Sequence, residues 1–135
     1  MTSTNGKTAV SAKTLERIRA LRLIDDEFMQ VCFDGNIPCV ELVLRIIMDK
    51  PDLRVLSVRT QKLLKSLGGR SVCLDIAATD SEGREFDIEV QRRDDGARPR
   101  RARYIASLMD ADALGEGEDF ERLPEIFVIF IRLLL

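Results

Sequence analysis

Two alternating runs joined by a short polar turn constrain this chain more than any other stretch. Apolar and polar side chains alternate from residue 72 to residue 79 and again from residue 84 to residue 91. A period of two over this length predicts two β-strands, each with one apolar face. The connecting residues 80–84, DSEGR, suit a three-residue hairpin loop with Gly83 in the left-handed conformation. We therefore expect an antiparallel hairpin.

The hairpin loop also predicts which residues of the two strands lie opposite each other. If Asp80 pairs with Arg84, the apolar face holds the pairs Ala78–Phe86, Ile76–Ile88 and Leu74–Val90. The other face then holds the pairs Ala77–Asp87, Asp75–Glu89 and Cys73–Gln91. A shift of one residue would mix apolar and polar side chains on both faces, so the alternation supports this register.

In this register the carboxylates of Asp75 and Glu89 lie opposite each other, with Cβ atoms about 5 Å apart. Like charges at opposed positions destabilise a strand pair unless a proton, a cation or solvent compensates them. Mg²⁺ takes one or two carboxylates together with water and phosphate oxygens, so a metal site is one interpretation. A solvated outer face is the other, and the spacing alone favours it, because polar outer faces are the norm in antiparallel hairpins.

The same residues resemble the motif of a known family. The residues DI at 75–76 and IEVQ at 88–91 resemble the PD-(D/E)XK nuclease superfamily, in particular its branch of transposases and recombination-promoting nucleases. That branch commonly has Gln where the superfamily has Lys. The segments QRRDDGARPRRARYIASLMD and LPEIFVIFI resemble it too, so the resemblance covers about residues 21–131. It implies an α/β (α+β) restriction-endonuclease-like core of order α-β-β-β-α-β, with a mixed central sheet flanked by helices.

The resemblance implies a metal-dependent DNA endonuclease, with DNA as partner and Mg²⁺, replaceable by Mn²⁺, as cofactor. Asp75 and Glu89 would bind the metal, and Glu41 would reach the site from the first core helix. Gln91 would stand at the position of the catalytic Lys, where its amide can orient and hydrogen-bond but carries no charge. For Glu41 the alternative is an exposed side chain paired with Arg45 at i,i+4.

An arginine-rich segment follows the hairpin. Pro99 suits the first turn of a helix that we expect to run to about residue 114. Arg readily makes bidentate contacts with phosphate, so next to a carboxylate hairpin we interpret six arginines as DNA contacts. The alternative is a solvated helix start whose arginines pair with nearby acids. The six are Arg92, Arg93, Arg98, Arg100, Arg101 and Arg103.

Periodicity and turn residues predict the remaining elements. We expect helices over residues 24–33 and 37–49 and a strand over residues 53–60, while residues 61–67 are ambiguous, with a turn of helix as one option. The apolar residues 125–131 predict a buried central strand. Residues 1–12 predict a disordered tail, and residues 13–135 predict a single nuclease-like domain.

Composition narrows the function classes. The chain has no His, which excludes Ser-His-Asp and Cys-His catalysis and the usual zinc sites. A net charge of −2 means that any DNA binding depends on a local basic patch. An odd number of scattered Cys and the lack of a visible signal or membrane span lead us to expect a cytoplasmic protein without membrane contact. The apolar residues 133–135 hint at a homodimer.

The resemblance leaves two other functions open. Relatives usually continue well past residue 131, so we expect a short or C-terminally truncated member. A catalytically inactive DNA-binding or protein-interaction module on the same fold would keep the arginines and need no divalent cation. A truncated remnant would have no selected activity. Fold resemblance alone does not separate these alternatives.

Overall fold

The computed structural model describes residues 31–91 and 98–132, together with Ala12. Residues 31–33 are helical, as expected for the end of the predicted helix 24–33. The rest of that helix, the predicted tail apart from Ala12, residues 133–135, and Arg92 and Arg93 lie outside the described residues. The limits of the predicted single domain therefore stay a prediction.

The described elements follow the predicted order α-β-β-β-α-β and form one four-stranded mixed sheet with helices on it, which confirms the restriction-endonuclease-like architecture. The sheet order is β1-β2-β3-β4, in which β1–β2 and β2–β3 are antiparallel and β3–β4 is parallel. A short 3-10 turn, Phe120–Arg122, precedes the last strand. The elements are α1 (Ile37–Ile47), β1 (Val55–Leu64), β2 (Val72–Asp80), β3 (Glu85–Gln91), α2 (Pro99–Ala113) and β4 (Ile126–Arg132).

Helix α1 begins and ends at residues suited to those positions. The side chain of Asn36 caps it by accepting the N–H of Cys39 at 3.3 Å, and Pro38 lies in the first turn. Its apolar face buries Val40 and Leu44 completely against the sheet. The helix ends two residues earlier than predicted, because Asp49 adopts a left-handed φ of 52°.

The sheet buries side chains on both faces, in two separate cores. The α1-side core lies between the sheet and α1, and the α2-side core lies between the sheet and α2. Each fully buried large aliphatic or aromatic side chain contributes about 1.5–3 kcal/mol through the hydrophobic effect. The α1-side core contains Val40, Leu44, Leu53, Val55, Ile76, Ala78, Phe86 and Ile88. The α2-side core contains Leu64, Leu74, Ile105 and Met109.

Two strand predictions differ from the structure. Strand β1 spans Val55–Leu64 instead of residues 53–60, so residues 61–64 of the ambiguous segment are strand, and Leu64 is buried in the α2-side core. Strand β4 lies at an edge of the four-stranded sheet, not at its centre. Its side chains alternate between the two cores, and burial on both faces explains the continuous apolar run without a central position.

The alternation of β2 changes phase at Asp75. Leu74 belongs to the α2-side core, whereas Ile76, two residues further on, belongs to the α1-side core. The predicted face that joined Leu74 to Val90 is therefore wrong, since Val90 packs against the α1-side core.

Strand β1 changes phase at the same level, which explains the departure. Its pairing with β2 includes Thr60 with Ile76 and Lys62 with Leu74 but skips Gln61, the residue opposite Asp75. Gln61 has a φ of 52°, a left-handed conformation that costs about 1–2 kcal/mol for a residue other than glycine. In both strands the side chains therefore change from one face of the sheet to the other at Gln61 and Asp75, and the pairing register on the two sides of this point is the same.

Candidate functional site

The predicted hairpin is confirmed, and its register is confirmed from the turn as far as Ile76 and Ile88; the predicted pairs beyond them, such as Asp75 with Glu89, are not part of the observed ladder. Gly83 has a φ of 77°, and the N–H of Asp80 donates to the Arg84 carbonyl at 3.0 Å. The side chain of Asp80 closes the turn by accepting the Arg84 Nε–H at 2.5 Å. The observed pairs include Ile76 with Ile88, Ala77 with Asp87 and Ala78 with Phe86.

Beyond Ile76 and Ile88, side-chain carboxylates replace backbone carbonyls as cross-strand acceptors. Glu89 Oε2 accepts the backbone N–H of Asp75 at 3.0 Å. In return, Asp75 Oδ2 accepts the backbone N–H of Val90 at 3.2 Å. One oxygen of each carboxylate is therefore fixed by an amide of the opposite strand. The structure brings Asp75 and Glu89 together.

The carboxylate face of β3 is buried, so the interpretation as a solvated outer face is wrong. Asp87 and Glu89 are both 0% exposed, and Gln91 is 9% exposed. Both side-chain oxygens of Asp87 and Oε1 of Glu89 have no hydrogen-bond partner within the described part of the chain. Burying a charged group without compensation is costly, so these oxygens call for a proton or a cation. We name Asp75, Asp87 and Glu89 the carboxylate cluster.

Burial changes the protonation of this cluster. Loss of solvent raises the pKa of Glu89 to about 9, and a hydrogen bond with the Asp75 side chain and the charge of Asp87 act in the same direction. Loss of solvent raises the pKa of Asp87 to about 8, with the charge of Asp75 adding to it and that of Arg101 opposing it. Around neutral pH, Asp87 and Glu89 hold protons unless a cation compensates them.

Arg101 approaches the cluster from the first turn of α2. Its Nη2 lies 3.6 Å from Glu89 Oε1, and its guanidinium lies 5.7 Å from the centroid of the Phe130 ring. Arg98, Arg100 and Arg103 are exposed around the start of the same helix. Of the six predicted DNA contacts, the structure therefore places Arg101 beside the acids and the other three described ones on the surface.

Glu41 lies elsewhere. Its Oε2 accepts the backbone N–H of Val55 at 3.0 Å, and its Oε1 pairs with Arg45 Nη2 at 2.8 Å. Val55 pairs with Asp80, five residues from Asp75 along β2, which corresponds to roughly 16 Å. The structure does not bring Glu41 to Asp75 and Glu89, and the alternative i,i+4 ion pair is present.

A family-model match agrees with this geometry. Residues 44–133, two thirds of the chain, match the family model of the PD-(D/E)XK nuclease family transposases. The chain belongs to that family. The match includes Asp75, Glu89 and Gln91 and begins after Glu41. No curated protein and no solved structure matches the chain. Membership indicates a nuclease, and PD-(D/E)XK nucleases generally depend on divalent metal ions and act on DNA.

A hard divalent cation fits the donor atoms of the cluster. No group of three or more His, Cys, Asp or Glu side chains among the described residues has the arrangement of a protein-only metal site. Mg²⁺ does not need one, because it commonly takes one or two carboxylates together with water and substrate phosphates. Glu89 Oε1, which lies beside Asp75 and accepts no hydrogen bond from the described residues, is the kind of hard oxygen ligand that such an ion prefers.

Two features of the site were missed by the sequence reasoning. The sequence placed Asp87 opposite Ala77 on the polar face of the hairpin, and its complete burial was not expected. Arg101 was grouped with surface arginines, although it contacts Glu89. A usable signal existed for Arg101, since it lies four residues before Ile105, which is buried over the same face of the sheet. In the described part of the chain, no helix is long and apolar enough to cross a bilayer.

Proposed function

We propose that this protein is a metal-dependent DNA endonuclease whose active site is formed by Asp75 and Glu89. The observation that carries the proposal is the pair of hydrogen bonds in which each carboxylate accepts a backbone N–H of the opposite strand, with Glu89 Oε1 buried and without a hydrogen-bond partner in the described residues. Mg²⁺ is the proposed cofactor and Mn²⁺ a substitute, because both accept hard oxygen ligands.

The carboxylates and Gln91 have different proposed roles in phosphodiester hydrolysis. When bound, the divalent ion supplies Lewis-acid polarisation of the scissile phosphate and lowers the pKa of the attacking water. The backbone amides of Asp75 and Val90 hold one carboxylate oxygen of Glu89 and of Asp75, respectively, so the other oxygen of each side chain would be available to the ion. The amide of Gln91, next on the same face of β3, would orient the attacking water.

DNA is the proposed partner, held through phosphate contacts at the start of α2. Arg98, Arg100 and Arg103 are exposed there and supply the local positive charge that the overall net charge of −2 lacks. The side chain of Arg98, at the N-terminal cap of α2, forms no hydrogen bond that caps the helix. Arg92 and Arg93 remain predicted contacts outside the described residues.

A plasmid-nicking assay with Mg²⁺ or Mn²⁺ tests the proposal. We expect Asp75→Ala and Glu89→Ala each to lower the nicking rate by at least about 100-fold, since each removes a ligand to the ion. Glu116→Gln, which neutralises an exposed acid in the loop after α2, is the matched control and should cleave like the wild type. Cleavage that persists in both alanine variants, with both folded, would refute the assignment.

Gln91 favours a second candidate function, a catalytically inactive DNA-binding module. Its amide carries no charge and stabilises an anionic transition state less than a Lys would. Binding to DNA that needs no divalent ion, weakens steeply with salt and leads to no cleavage would support this candidate. Self-association as a homodimer stays a prediction, because residues 133–135 lie outside the described residues.

A further inference from the structure

The carboxylate cluster has more acids than nearby positive charges. Asp75, Asp87 and Glu89 lie together; among the described residues, Arg101 is paired with Glu89 and its charge acts on Asp87. Lys62 of β1 pairs with Asp112 at 3.3 Å instead. A divalent ion held by Asp75 and Glu89 would therefore share these acids with Arg101.

The contact between Arg101 and Glu89 is suited to exchange. The Nη2 to Oε1 distance of 3.6 Å exceeds the roughly 2.7–3.2 Å of a hydrogen bond, so an ion that takes Oε1 breaks no hydrogen bond there. The side chain of Arg101 is 43% exposed, whereas Glu89 is completely buried. The acid is fixed in the protein, and the guanidinium has a route to solvent and to a ligand outside.

The Phe130 ring also contacts Arg101. The guanidinium carbon lies 5.7 Å from the ring centroid, within the range of a cation–π contact. That distance is close to the outer limit of about 6 Å, so the contact holds the guanidinium only weakly. Phe130 itself belongs to the residues that pack against the α2-side core and is held in place.

We propose that Arg101 is an exchangeable counter-cation: it compensates the carboxylate cluster while no divalent ion is bound, and it turns to a DNA phosphate when one is. This inference rests on the proposed function, because it takes Asp75 and Glu89 as the ligands of the ion. It makes Arg101 a positioning residue for the acids and a phosphate contact only in the metal-bound protein. Replacing Arg101 should therefore lower the stability of the metal-free protein and raise its affinity for the ion.

The first test measures stability and metal binding of Arg101→Gln without DNA. In EDTA, at a pH above the raised pKa values of Asp87 and Glu89, the variant has a lower Tm than the wild type, because the ionised buried acids lose their compensating charge. Its Kd for Mn²⁺, measured by titration calorimetry at one fixed pH, is about tenfold lower, because the ion no longer competes with a guanidinium. A merely structural role would lower both the Tm and the metal affinity. Arg101→Lys keeps the charge and should stay within about threefold of the wild-type Kd.

Arg103→Gln is the matched control. Arg103 is exposed on the same helix two residues away, and its substitution should leave the Mn²⁺ Kd unchanged. If Arg101→Gln unfolds, the Arg101→Lys protein still tests the inference. An Arg101→Lys protein that binds Mn²⁺ more than tenfold more weakly than the wild type contradicts the exchange. An Arg101→Gln protein that is folded and binds Mn²⁺ equally or more weakly overturns the inference.

The second test uses fluorescence anisotropy of a DNA duplex at several salt concentrations, in EDTA and in Ca²⁺. Each lost phosphate contact lowers the slope of log K against log salt by about 0.9. We expect the slope of Arg101→Gln to be smaller than that of the wild type by about 0.9 in Ca²⁺ and equal to it in EDTA. The slope of Arg103→Gln should be smaller by about 0.9 in both conditions. An equal loss in both conditions for Arg101→Gln overturns the inference.

Failure of the inference differs from failure of the proposed function. Wild-type protein that binds Mn²⁺ through Asp75 and Glu89, with an Arg101→Gln Kd no lower than its own, contradicts only the exchange. Wild-type protein whose Mn²⁺ binding is unchanged by Asp75→Ala and Glu89→Ala contradicts both, because the ion then has other ligands.

Discussion

Replacing Asp87 by Asn should stabilise the protein at alkaline pH and have little effect in acid. Asp87 is 0% exposed and neither of its side-chain oxygens has a partner among the described residues. Burial raises its pKa from 3.8 to about 8. The folded protein therefore binds a proton that the unfolded chain releases, and stability falls as the pH rises from about 4 to about 8. Asn has nearly the same shape and no proton to lose.

The magnitude follows from the pKa change. A shift from 3.8 to about 8 corresponds to a loss of at most about 5 kcal/mol at pH 8, since one unit is about 1.4 kcal/mol. The neighbouring acids share protons with Asp87, so removing its charge relieves only part of this loss. We expect Asp87→Asn to be about 2 kcal/mol more stabilising at pH 8 than at pH 4, a large fraction of a typical folding free energy.

Urea titrations in EDTA at both pH values measure the free energy of unfolding of each protein. EDTA matters, because a bound divalent ion would compensate Asp87 and hide the effect. Glu116→Gln, an exposed acid, should show no difference between the two pH values relative to the wild type. If Asp87→Asn changes the unfolding free energy equally at both pH values, then Asp87 does not carry a raised pKa and the reasoning fails.

Two further predictions concern residues outside the cluster. Arg84→Ala should destabilise the protein by about 3 kcal/mol in urea titrations, because it leaves the 1% exposed Asp80 as an uncompensated buried charge; a loss below about 1 kcal/mol would contradict this. Asp80→Asn combined with Arg84→Met should recover much of the loss, since it removes both charges. Glu41→Gln should cost about 1 kcal/mol of stability by weakening its contacts with Val55 and Arg45, while nicking stays within about twofold of the wild type. Lost nicking at unchanged stability would instead place Glu41 in the active site.

The local parts of the fold could be predicted from the sequence. The hairpin register depends on Gly83 and on an alternation that lies within 20 residues, and both are visible in the chain itself. Helix α2 begins at Pro99 as predicted and ends within one residue of the expected position. These features follow from backbone conformation and periodicity, which neighbouring residues determine.

The burial of the acids could not be predicted, because it depends on a helix that packs across the sheet. Asp87 and Glu89 have the same alternation whether water or α2 covers them. The edge position of β4 was missed for the same reason, since a strand covered on both faces has the same apolar pattern at an edge or at the centre. The position of Glu41 depends on how α1 lies along the sheet, and that packing sets its distance from Asp75.

The change of phase at Gln61 and Asp75 gives the site an unusual mechanical setting. Before it, β2 contributes Leu74 to one core, and after it β2 contributes Ile76 to the other. Asp75 thus sits on the seam where the two cores meet within a single strand. Side chains of both cores therefore flank Asp75 along the same strand. We expect packing substitutions in either core to change the spacing between Asp75 and Glu89 without a direct contact with the acids.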